Sequence, residues 1–403
     1  MLEFKEKIDT GEYDAFASAH PLSSVNQSAK WAEIKSQWIP FHCGLYESDQ
    51  LVGVALVLIR PLPMGLRFAY VPRGPLVDFS NKEHVDAMLM GLKKLAKKNR
   101  CLFVRMDPKV LYRDFMIEDK DNAQPLASGL TAIDNLTKSG AKHLGFPLKM
   151  HDAFQPRFVA NVYNSETFEE DLSSRTKRFI KIANKKNVTI RKGTQDDLDD
   201  FVSILGETEN RQGITLRTKD YHQKLMETYG DDAELMFAEV DLNEAHREYS
   251  QELAEVQSEL ASLDGKSPKK RFTLEEKEVS LTNLIDEVKP YLSHDSKKRI
   301  LSGMLSIKYG HTYEQLYAGF DINFKKYMPQ YKLYVETMKA CFEEGYLYHN
   351  TGGIEGTLDD GLTMFKKHFN PHINEYIGEF DIPTSPLYPL FMVAWRIRQK
   401  RSE

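Results

Sequence analysis

The fold is decided by residues 51–59, which read LVGVALVLI, together with their counterpart at residues 300–307, which read ILSGMLSI. Each run is mostly apolar, which predicts a buried β-strand, and each carries a glycine (Gly53 and Gly303) where a bulge or a close backbone approach fits. The first run is followed by a predicted strand at 67–71, a helix at 85–98 and a strand at 101–106. The second is followed by a strand at 312–317, a helix at 330–344 and a strand at 346–350. The chain therefore contains two copies of a strand–strand–helix–strand unit.

A helix is predicted before each unit, around residues 29–38 and 219–228. This order is compatible with two acetyltransferase-like α+β subdomains, in which a mixed sheet is flanked by helices. The pattern by itself predicts a duplicated α/β unit and does not specify that fold. A length of 403 residues agrees with two domains.

Between the two copies of the unit, residues 242–292 show the spacing of a helical hairpin. Apolar residues recur in steps of three and four on both sides of a break at residues 264–268, which read DGKSP. The two narrow stripes predict an antiparallel coiled-coil arm, with its helices packed on each other. The alternative is a pair of ordinary surface helices packed on the body of the protein.

Composition limits the classes of protein to consider. Hydrophobic residues make up 41% and charged residues 28%, which is typical of a soluble globular chain. No apolar run approaches the roughly 20 residues that cross a bilayer, and the charged N-terminus lacks a signal core, so we expect a cytoplasmic protein. The 3 cysteines are far apart, and the 12 histidines show no metal-ligand spacing. Neither a disulfide framework nor a bound metal is expected.

The net charge is −5, but residues 173–192, SSRTKRFIKIANKKNVTIRK, are basic and contain no acid. Apolar residues at helical spacing make this segment an amphipathic helix with a cationic face. Such a face suits the phosphates of a nucleic acid, a nucleotide or a lipid head group. The alternative is a solvated helix face without a ligand.

Several segments resemble the FemABX family of peptidoglycan peptidyltransferases, and in particular its MurM type. The segments occur in family order over nearly the whole chain. They are NQS at 26–28 with Trp31 and Lys35, YVPRGP at 70–75, FVRMDP at 103–108, QPRF at 155–158, the basic helix, RQG at 211–213 with Arg217 and Tyr221, TGGI at 351–354, Gly361-Leu362 with Phe365-Lys366, and EYIGEF at 375–380.

The resemblance implies two acetyltransferase-like (GNAT-like) subdomains, at 1–153 and 154–369, with an arm at 242–297 inserted in the second and residues 370–403 returning to the first. It further implies that aminoacyl-tRNA is the donor. The acceptor that the resemblance implies is the stem-peptide lysine amine of a lipid-linked or UDP-linked muropeptide, and it implies no metal or coenzyme. An aminoacyl ester is already activated, so the absence of a nucleophile motif is expected. The oligomeric state, the amino acid moved and the number of residues added stay open.

Substrate-binding candidates follow from the resemblance and from spacing. Trp31, Lys35 and Trp38 lie at i, i+4 and i+7, so a helix would place Lys35 between two indoles, suited to a pyrophosphate. The family uses a lysine at the position of Lys35; the alternative is a helix that packs its tryptophans and lets the lysine reach solvent. Arg217 and Tyr221 match an arginine and a tyrosine of the family near the precursor's phosphates, and Arg211 is the alternative to Arg217 for the arginine's role. The alternative for Arg217 is a salt bridge at the start of the helix.

Candidates for the reaction come from three further places. Lys366, which follows Phe365, matches a functionally important lysine of the family and is assigned to the charged-tRNA end or to the oxyanion. Asp107 ends a strand and is a candidate to position the attacking amine or accept its proton, although Asp-Pro is also a common strand-to-turn sequence. Tyr317 precedes Ala318-Gly319 and is a candidate contact of the stem peptide; a core tyrosine is the alternative. The candidates for tRNA binding are Lys177, Arg178, Lys181, Lys185 and Lys186.

The C-terminal segment combines apolar residues at 387–395 with a basic tail at 396–401. It suits either contact with an anionic membrane surface or a last core helix with a basic end. Two other functions remain open. One is an acyl-CoA-dependent N-acyltransferase, against which the lack of a Gly-rich pyrophosphate turn counts. The other is a non-catalytic RNA-binding protein.

Overall fold

The computed structural model describes residues 1–212, 217–263, 267–292, 298–393 and 395; the side chains of residues 64 and 208–212 lie outside this description. The helices are α1 (Thr10–Ala19), α2 (Trp31–Ile34), α3 (Lys82–Lys98), α4 (Ala127–Lys138), α5 (Phe168–Asp171), α6 (Ser174–Lys185), α7 (Leu198–Gln212), α8 (Lys219–Tyr229), α9 (Leu242–Ser262), α10 (Pro268–Val288), α11 (Pro329–Glu343) and α12 (Gly361–Lys366).

Two mixed sheets form the two halves of the molecule. The first contains β1 (Leu2–Lys5), β2 (Ile39–Glu47), β3 (Gln50–Pro61), β4 (Arg67–Val71), β5 (Leu76–Val77), β6 (Cys101–Met106), β8 (Lys142–His143) and β16 (Phe380–Pro383). The second contains β7 (Leu111–Met116), β9 (Phe158–Tyr163), β10 (Thr189–Lys192), β11 (Ala233–Val240), β12 (Arg299–Tyr309), β13 (Thr312–Phe320), β14 (Tyr348–Ile354) and β15 (His372–Tyr376).

The predicted duplication is confirmed in the pairing of these strands. In the first half β3 pairs with β4, and β4 pairs in parallel with β6 after the crossover through α3. In the second half β12 pairs with β13, and β13 pairs in parallel with β14 after the crossover through α11. A parallel pair needs such a crossover, which explains why a helix separates those two strands in each copy.

The two glycines of the repeat occupy tight positions. The pairing of β2 with β3 shifts register next to Gly53. A Cβ on Gly303 would lie 2.9 Å from the ring of Phe201, so a larger residue there would displace the packing of α7 on the sheet.

The two halves exchange strands. β7, from the N-terminal part of the chain, pairs with β15 in the second sheet, whereas β16 pairs with β6 and β8 in the first sheet. One hydrophobic cluster also spans both halves and joins Tyr13, Val25 and Leu56 to Phe201, Tyr229 and Leu305. The boundaries at 1–153 and 154–369 therefore stay a prediction about folding units, because the strands cross them.

Helices α9 and α10 pack on each other in antiparallel directions, as predicted for the hairpin; residues 264–266 between them lie outside the described residues. Val256 of α9 and Leu274 and Leu281 of α10 are buried along the seam. Two ion pairs of 2.7 Å join the helices, from Lys277 to Glu252 and from Lys270 to Glu259. At the base of the hairpin, Tyr249 and Val288 belong to the same cluster as Met304 and Tyr327 of the second half, so the hairpin is anchored in that core.

The C-terminal segment packs on the first half. Residues 388–393 are helical, and Tyr388 and Phe391 lie 5.6 and 5.7 Å from the ring of Phe103. Leu387, Leu390 and Val393 are exposed. The basic tail at 396–403 lies outside the described residues. Within the described parts of the chain, no helix is long and apolar enough to span a bilayer.

Candidate functional site

A cleft of about 290 Å³ lies where the two halves meet. From the first half come the loop before α2, α2 itself and the segments after β4 and β6. From the second half come β13, β14 and the start of α8. The residues that line it are Ser24, Asn26, Trp31, Lys35, Arg73, Lys109, Gln155, Pro156, Val159, Arg217, Tyr221, Glu314, Gln315, Leu316, Tyr317, Asn350, Gly352, Gly353 and Tyr376.

Four predicted substrate-binding residues meet at one end of this cleft. The Lys35 ammonium lies 3.4 Å from the Tyr221 hydroxyl, 4.8 Å from the centre of the Trp31 ring and 5.4 Å from that of Tyr221. The guanidinium carbon of Arg217 lies 5.3 Å from the Tyr221 ring, and the rings of Tyr221 and Tyr317 are 6.2 Å apart. Two cations and two phenols converge here, a set that suits a phosphate group.

Electrostatics agree with that grouping. Burial and the charge of Arg217 lower the pKa of Lys35 to about 8. An anionic ligand would stabilise both cations, because they repel each other in a partly buried site and the ligand replaces their lost solvation.

Trp38 does not occupy the predicted position, and the interpretation of residues 29–38 as one helix is wrong. Helix α2 ends at Ile34, and Lys35 has φ −95° and ψ 35°, so the helical spacing stops before Trp38. The Trp38 ring packs 6.5 Å from Phe68 and 6.3 Å from Tyr70, away from the cleft lining. The second aromatic beside Lys35 is Tyr221, from the other half.

Arg217 lies just before α8, whose N-cap is Thr218. Among the described residues it forms no ion pair with Asp220 or Glu227, so the salt-bridge alternative has no counterpart in the structure. The side chain of Arg211 lies outside the description, and its predicted role stays a prediction.

Lys366 lies beneath the glycines of the cleft. It ends α12, is only 4% exposed, and donates a 2.8 Å hydrogen bond to the Gly353 carbonyl. Burial lowers the pKa of Lys366 to about 7, and the charge of Asp360 only partly opposes this. Its neighbour Lys367 pairs with Glu118 at 2.8 Å on the outside. A lysine with a pKa near neutrality beside a cleft is typical of a functional position.

Phe365 is a packing residue in this structure. Its ring lies 5.3 Å from Tyr331, 5.1 Å from Tyr334 and 5.3 Å from Phe369. It is not among the described residues that line the cleft, and the substrate contact predicted for it stays a prediction. The aromatic cluster holds α12 in place and thereby orients Lys366.

Asp107 is not among the described residues that line the cleft, but it contacts Arg73, which does. It is buried and accepts hydrogen bonds from the Tyr70 hydroxyl (2.9 Å) and the Arg73 backbone N–H (2.6 Å). Burial raises the pKa of Asp107 to about 6, although the charge of Arg73 opposes the rise. The Asp107 carboxylate therefore holds the turn at Arg73, where the backbone has φ 53°.

Three buried charged residues of the cleft carry no role in the sequence prediction: Arg73, Lys109 and Glu314. Arg73 belongs to the quoted segment YVPRGP and Lys109 follows FVRMDP, so the resemblance marked their surroundings. Glu314 carried no such signal, because it is one of many acidic residues in the chain and lies on a predicted strand. Within the described residues, no group of three or more His, Cys, Asp or Glu side chains is placed to hold a metal ion.

The predicted tRNA-binding cations do not all face solvent. Lys177, Arg178, Lys181 and Lys185 of α6 are exposed, and Lys177 also donates a 2.7 Å bond to the Glu170 carbonyl. Lys186, in contrast, lies 4.2 Å over the Tyr327 ring beside the hairpin, where burial lowers its pKa.

The end of the basic segment is neutralised, while its start lies beside α12. Arg191, on β10, pairs with Asp197 at 2.8 Å and with Glu239 at 2.7 Å. Thr176 of α6 donates a 2.6 Å hydrogen bond to the His368 carbonyl, just after Lys366. The exposed cations are therefore carried by the helix that adjoins the Lys366 segment.

Comparisons with known proteins agree with one another. The model of the FemAB family matches residues 8–396. The lipid II:glycine glycyltransferase of Staphylococcus aureus is 28% identical over 415 residues, which cover 96% of this chain and 94% of that protein; its counterpart in strain USA300 gives the same values. The crystal structure of FemX is 27% identical, with a TM-score of 0.77 over 96% of this chain and 99% of that one. The expected fold of two acetyltransferase-like halves is confirmed.

Proposed function

This chain belongs to the FemAB family, and from that premise we propose that it transfers an amino acid from aminoacyl-tRNA to the stem-peptide lysine amine of a lipid-linked muropeptide. The observation that carries the proposal is the cleft, which is lined by two cations (Lys35 and Arg217) and by Gly352-Gly353, where the Gly353 carbonyl accepts a hydrogen bond from the buried Lys366. The similar Staphylococcus aureus proteins are named for lipid II, which agrees with such an acceptor.

In the proposed complex, the diphosphate of the acceptor lies at Lys35 and Arg217. The guanidinium of Arg217 can bond two phosphate oxygens at once, and the Tyr221 hydroxyl adds a further partner. Trp31 and Tyr317 provide apolar walls for the attached sugar or peptide. Holding the diphosphate fixes the peptide in the cleft and brings the lysine amine close to the donor ester.

The reaction needs no covalent enzyme intermediate. The neutral amine attacks the ester carbonyl, the new C–N bond forms, and the ester C–O bond breaks. The proton lost by the amine ends on the ribose oxygen that leaves. Negative charge develops on the carbonyl oxygen during attack, and the protonated Lys366 ammonium is the proposed partner of that oxyanion. Asp107 acts as a positioning residue, since it fixes the backbone of Arg73 at the edge of the same cleft.

The donor is proposed to lie along α6. Its exposed cations (Lys177, Arg178, Lys181 and Lys185) offer several contacts at phosphate range, and the Thr176 bond to His368 joins this helix to the Lys366 segment. A tRNA held there would bring its charged end toward Lys366.

A lipid-linked acceptor also places the enzyme at a membrane. The exposed Leu387, Leu390 and Val393 are the proposed contact with the inner bilayer surface. Sedimentation with vesicles of anionic phospholipid tests this: Leu390→Ser should reduce binding, and equal binding would remove the contact from the proposal.

The decisive experiment offers one acceptor to three donors. The purified protein is mixed with a muropeptide and with radiolabelled aminoacyl-tRNA, free amino acid with ATP, or acyl-CoA. Label on the muropeptide from aminoacyl-tRNA alone is the expected result. Transfer from acyl-CoA, or retention of tRNA without transfer, would contradict the proposal. A panel of charged tRNAs then identifies the amino acid.

A further inference from the structure

The cleft is also lined by three buried charges besides the cluster at Lys35. Arg73 is 7% exposed, Lys109 is 6% exposed and Glu314 is 7% exposed. All three line the cleft. Among the described residues, none of them forms an ion pair with an opposite charge. A buried charge in that condition is costly unless a ligand or hydrogen bonds compensate it.

Hydrogen bonds compensate these charges only in part. The Lys109 ammonium donates 2.7 Å bonds to the Ser23 carbonyl and to the Tyr348 hydroxyl, which are two of its three possible bonds. The Arg73 guanidinium donates a 2.8 Å bond to the Pro156 carbonyl and lies 4.8 Å over the Tyr376 ring. Both cations therefore retain donor capacity at the cleft.

Glu314 is held by two hydrogen bonds to one carboxylate oxygen, Oε1. It accepts a 2.9 Å bond from the Val25 N–H and a 3.2 Å bond from the Thr312 hydroxyl. These contacts from both halves keep its carboxylate in place on β13. Its charge offsets that of one cation, and Asp107, which accepts a bond from the Arg73 N–H, offsets part of the other, so this part of the cleft carries at most one excess positive charge.

The two ends of the cleft thus differ in charge. The pKa of Lys35 is lowered by burial and by the charge of Arg217, with no contribution from an acid. Lys35 and Arg217 therefore offer two excess positive charges to a diphosphate. Glu314 and Tyr317 are three residues apart on β13, which separates the ends by roughly 10 Å. At most one excess charge, together with a planar guanidinium, matches a single carboxylate better than a doubly charged phosphate.

We propose that Arg73 and Lys109 bind the C-terminal carboxylate of the acceptor's peptide, with Glu314 limiting the site to one negative charge. This inference rests on the proposed function, because it names how the peptide part of that acceptor is recognised. The diphosphate and the peptide terminus would then be fixed at opposite ends of the cleft. The lysine amine between them would face Gly352-Gly353, next to Lys366.

The test compares two ligands that differ only at the peptide terminus. A lipid-linked muropeptide with a free C-terminal carboxylate and its C-terminal carboxamide, both in detergent, are titrated into the protein by calorimetry. The wild type should bind the carboxylate roughly ten- to a hundredfold more tightly, which is the range expected for a charge-assisted hydrogen bond. Arg73→Gln and Lys109→Met should each lose most of this preference, whereas Lys138→Met, a surface change on α4, should keep it.

The outcomes separate the inference from the function. Equal binding of the two ligands by the wild type overturns the inference without touching the proposed transfer, which the donor experiment tests on its own. Binding of neither ligand overturns the proposed acceptor and the inference with it. The ligand comparison needs no variant, so a folding defect in Lys109→Met, which would lose its bonds to Ser23 and Tyr348, does not prevent the test.

Discussion

Replacing Lys366 with Met should stabilise the fold near neutral pH while it removes the proposed oxyanion partner. Burial lowers the pKa of Lys366 from 10.5 to about 7. A difference of that size corresponds to roughly 4–5 kcal/mol of unfavourable charge burial, taken as an upper bound. Met is apolar and close in length, so it avoids this cost while it fills much of the same space. It also loses the 2.8 Å bond to the Gly353 carbonyl, which contributes about 1–1.5 kcal/mol.

The sign of the effect depends on pH. The folded-state pKa of Lys366 is below its unfolded value, so the unfolded chain binds more protons between the two. The penalty is therefore fully present below about 7 and disappears as pH rises toward 10.5. The variant should be more stable by about 2–3 kcal/mol near neutral pH and less stable by about 1 kcal/mol near pH 10.5. His349, buried close to Lys366, has a pKa lowered to about 3 and stays neutral over this window.

Urea unfolding from about pH 6 to about pH 10 measures this difference for the wild type and for Lys366→Met. Lys367→Met is the matched control, because that neighbour is partly exposed and paired with Glu118. The expected result is a crossing of the wild-type and Lys366→Met curves, with the control following the wild type. Parallel curves for the wild type and Lys366→Met would show that burial does not lower the pKa of Lys366.

Three further results are expected. Lys35→Ala and Arg217→Ala should each weaken binding of a muropeptide by about ten- to a hundredfold in calorimetry, since each removes a cation from the diphosphate end; unchanged affinity in both would remove the phosphate from that end. Lys181→Met or Lys185→Met should weaken tRNA binding slightly and lower its salt dependence by about one counterion, measured by filter binding at several salt concentrations, and an unchanged slope would place the tRNA elsewhere. Phe365→Ala should lower the free energy of unfolding by about 2–4 kcal/mol, with muropeptide affinity kept in the fraction that stays folded; a stable variant with lost affinity would restore Phe365 as a substrate contact.

The elements that the sequence predicted best are those set by local periodicity. The strands β3, β4 and β6 and their counterparts β12, β13 and β14 follow apolar runs, and the helical hairpin follows two narrow stripes. These patterns report burial directly, because each side chain must lie on one face of its own element. The same reasoning wrongly predicted one helix through Trp31 and Trp38, because residues seven apart would lie on the same face of a helix. The helix ends at Ile34, and Trp38 packs on the aromatic residues of the first sheet instead.

Most of the site was predictable only through the resemblance, whereas Tyr317 was predicted from the adjacent Ala318-Gly319. Lys35, Arg217, Tyr221 and Tyr317 come from distant segments, and spacing alone gives no reason for them to meet. Arg191 looked like part of a cationic face, but it lies on β10 and is paired with acids from other segments. Such pairings depend on tertiary contacts. For the same reason, the sequence did not predict that Arg73, Lys109 and Glu314 lie in one cluster.

The most direct test of the proposed chemistry is the single-turnover rate of transfer from saturating aminoacyl-tRNA to a muropeptide, measured for the wild type and for Lys366→Met. The wild type should label the lysine amine of the muropeptide. The variant should bind tRNA normally but react about a hundredfold more slowly, as expected for the loss of an oxyanion partner. A Lys366→Met protein with a normal rate, or a wild type that never labels the muropeptide, would contradict the account.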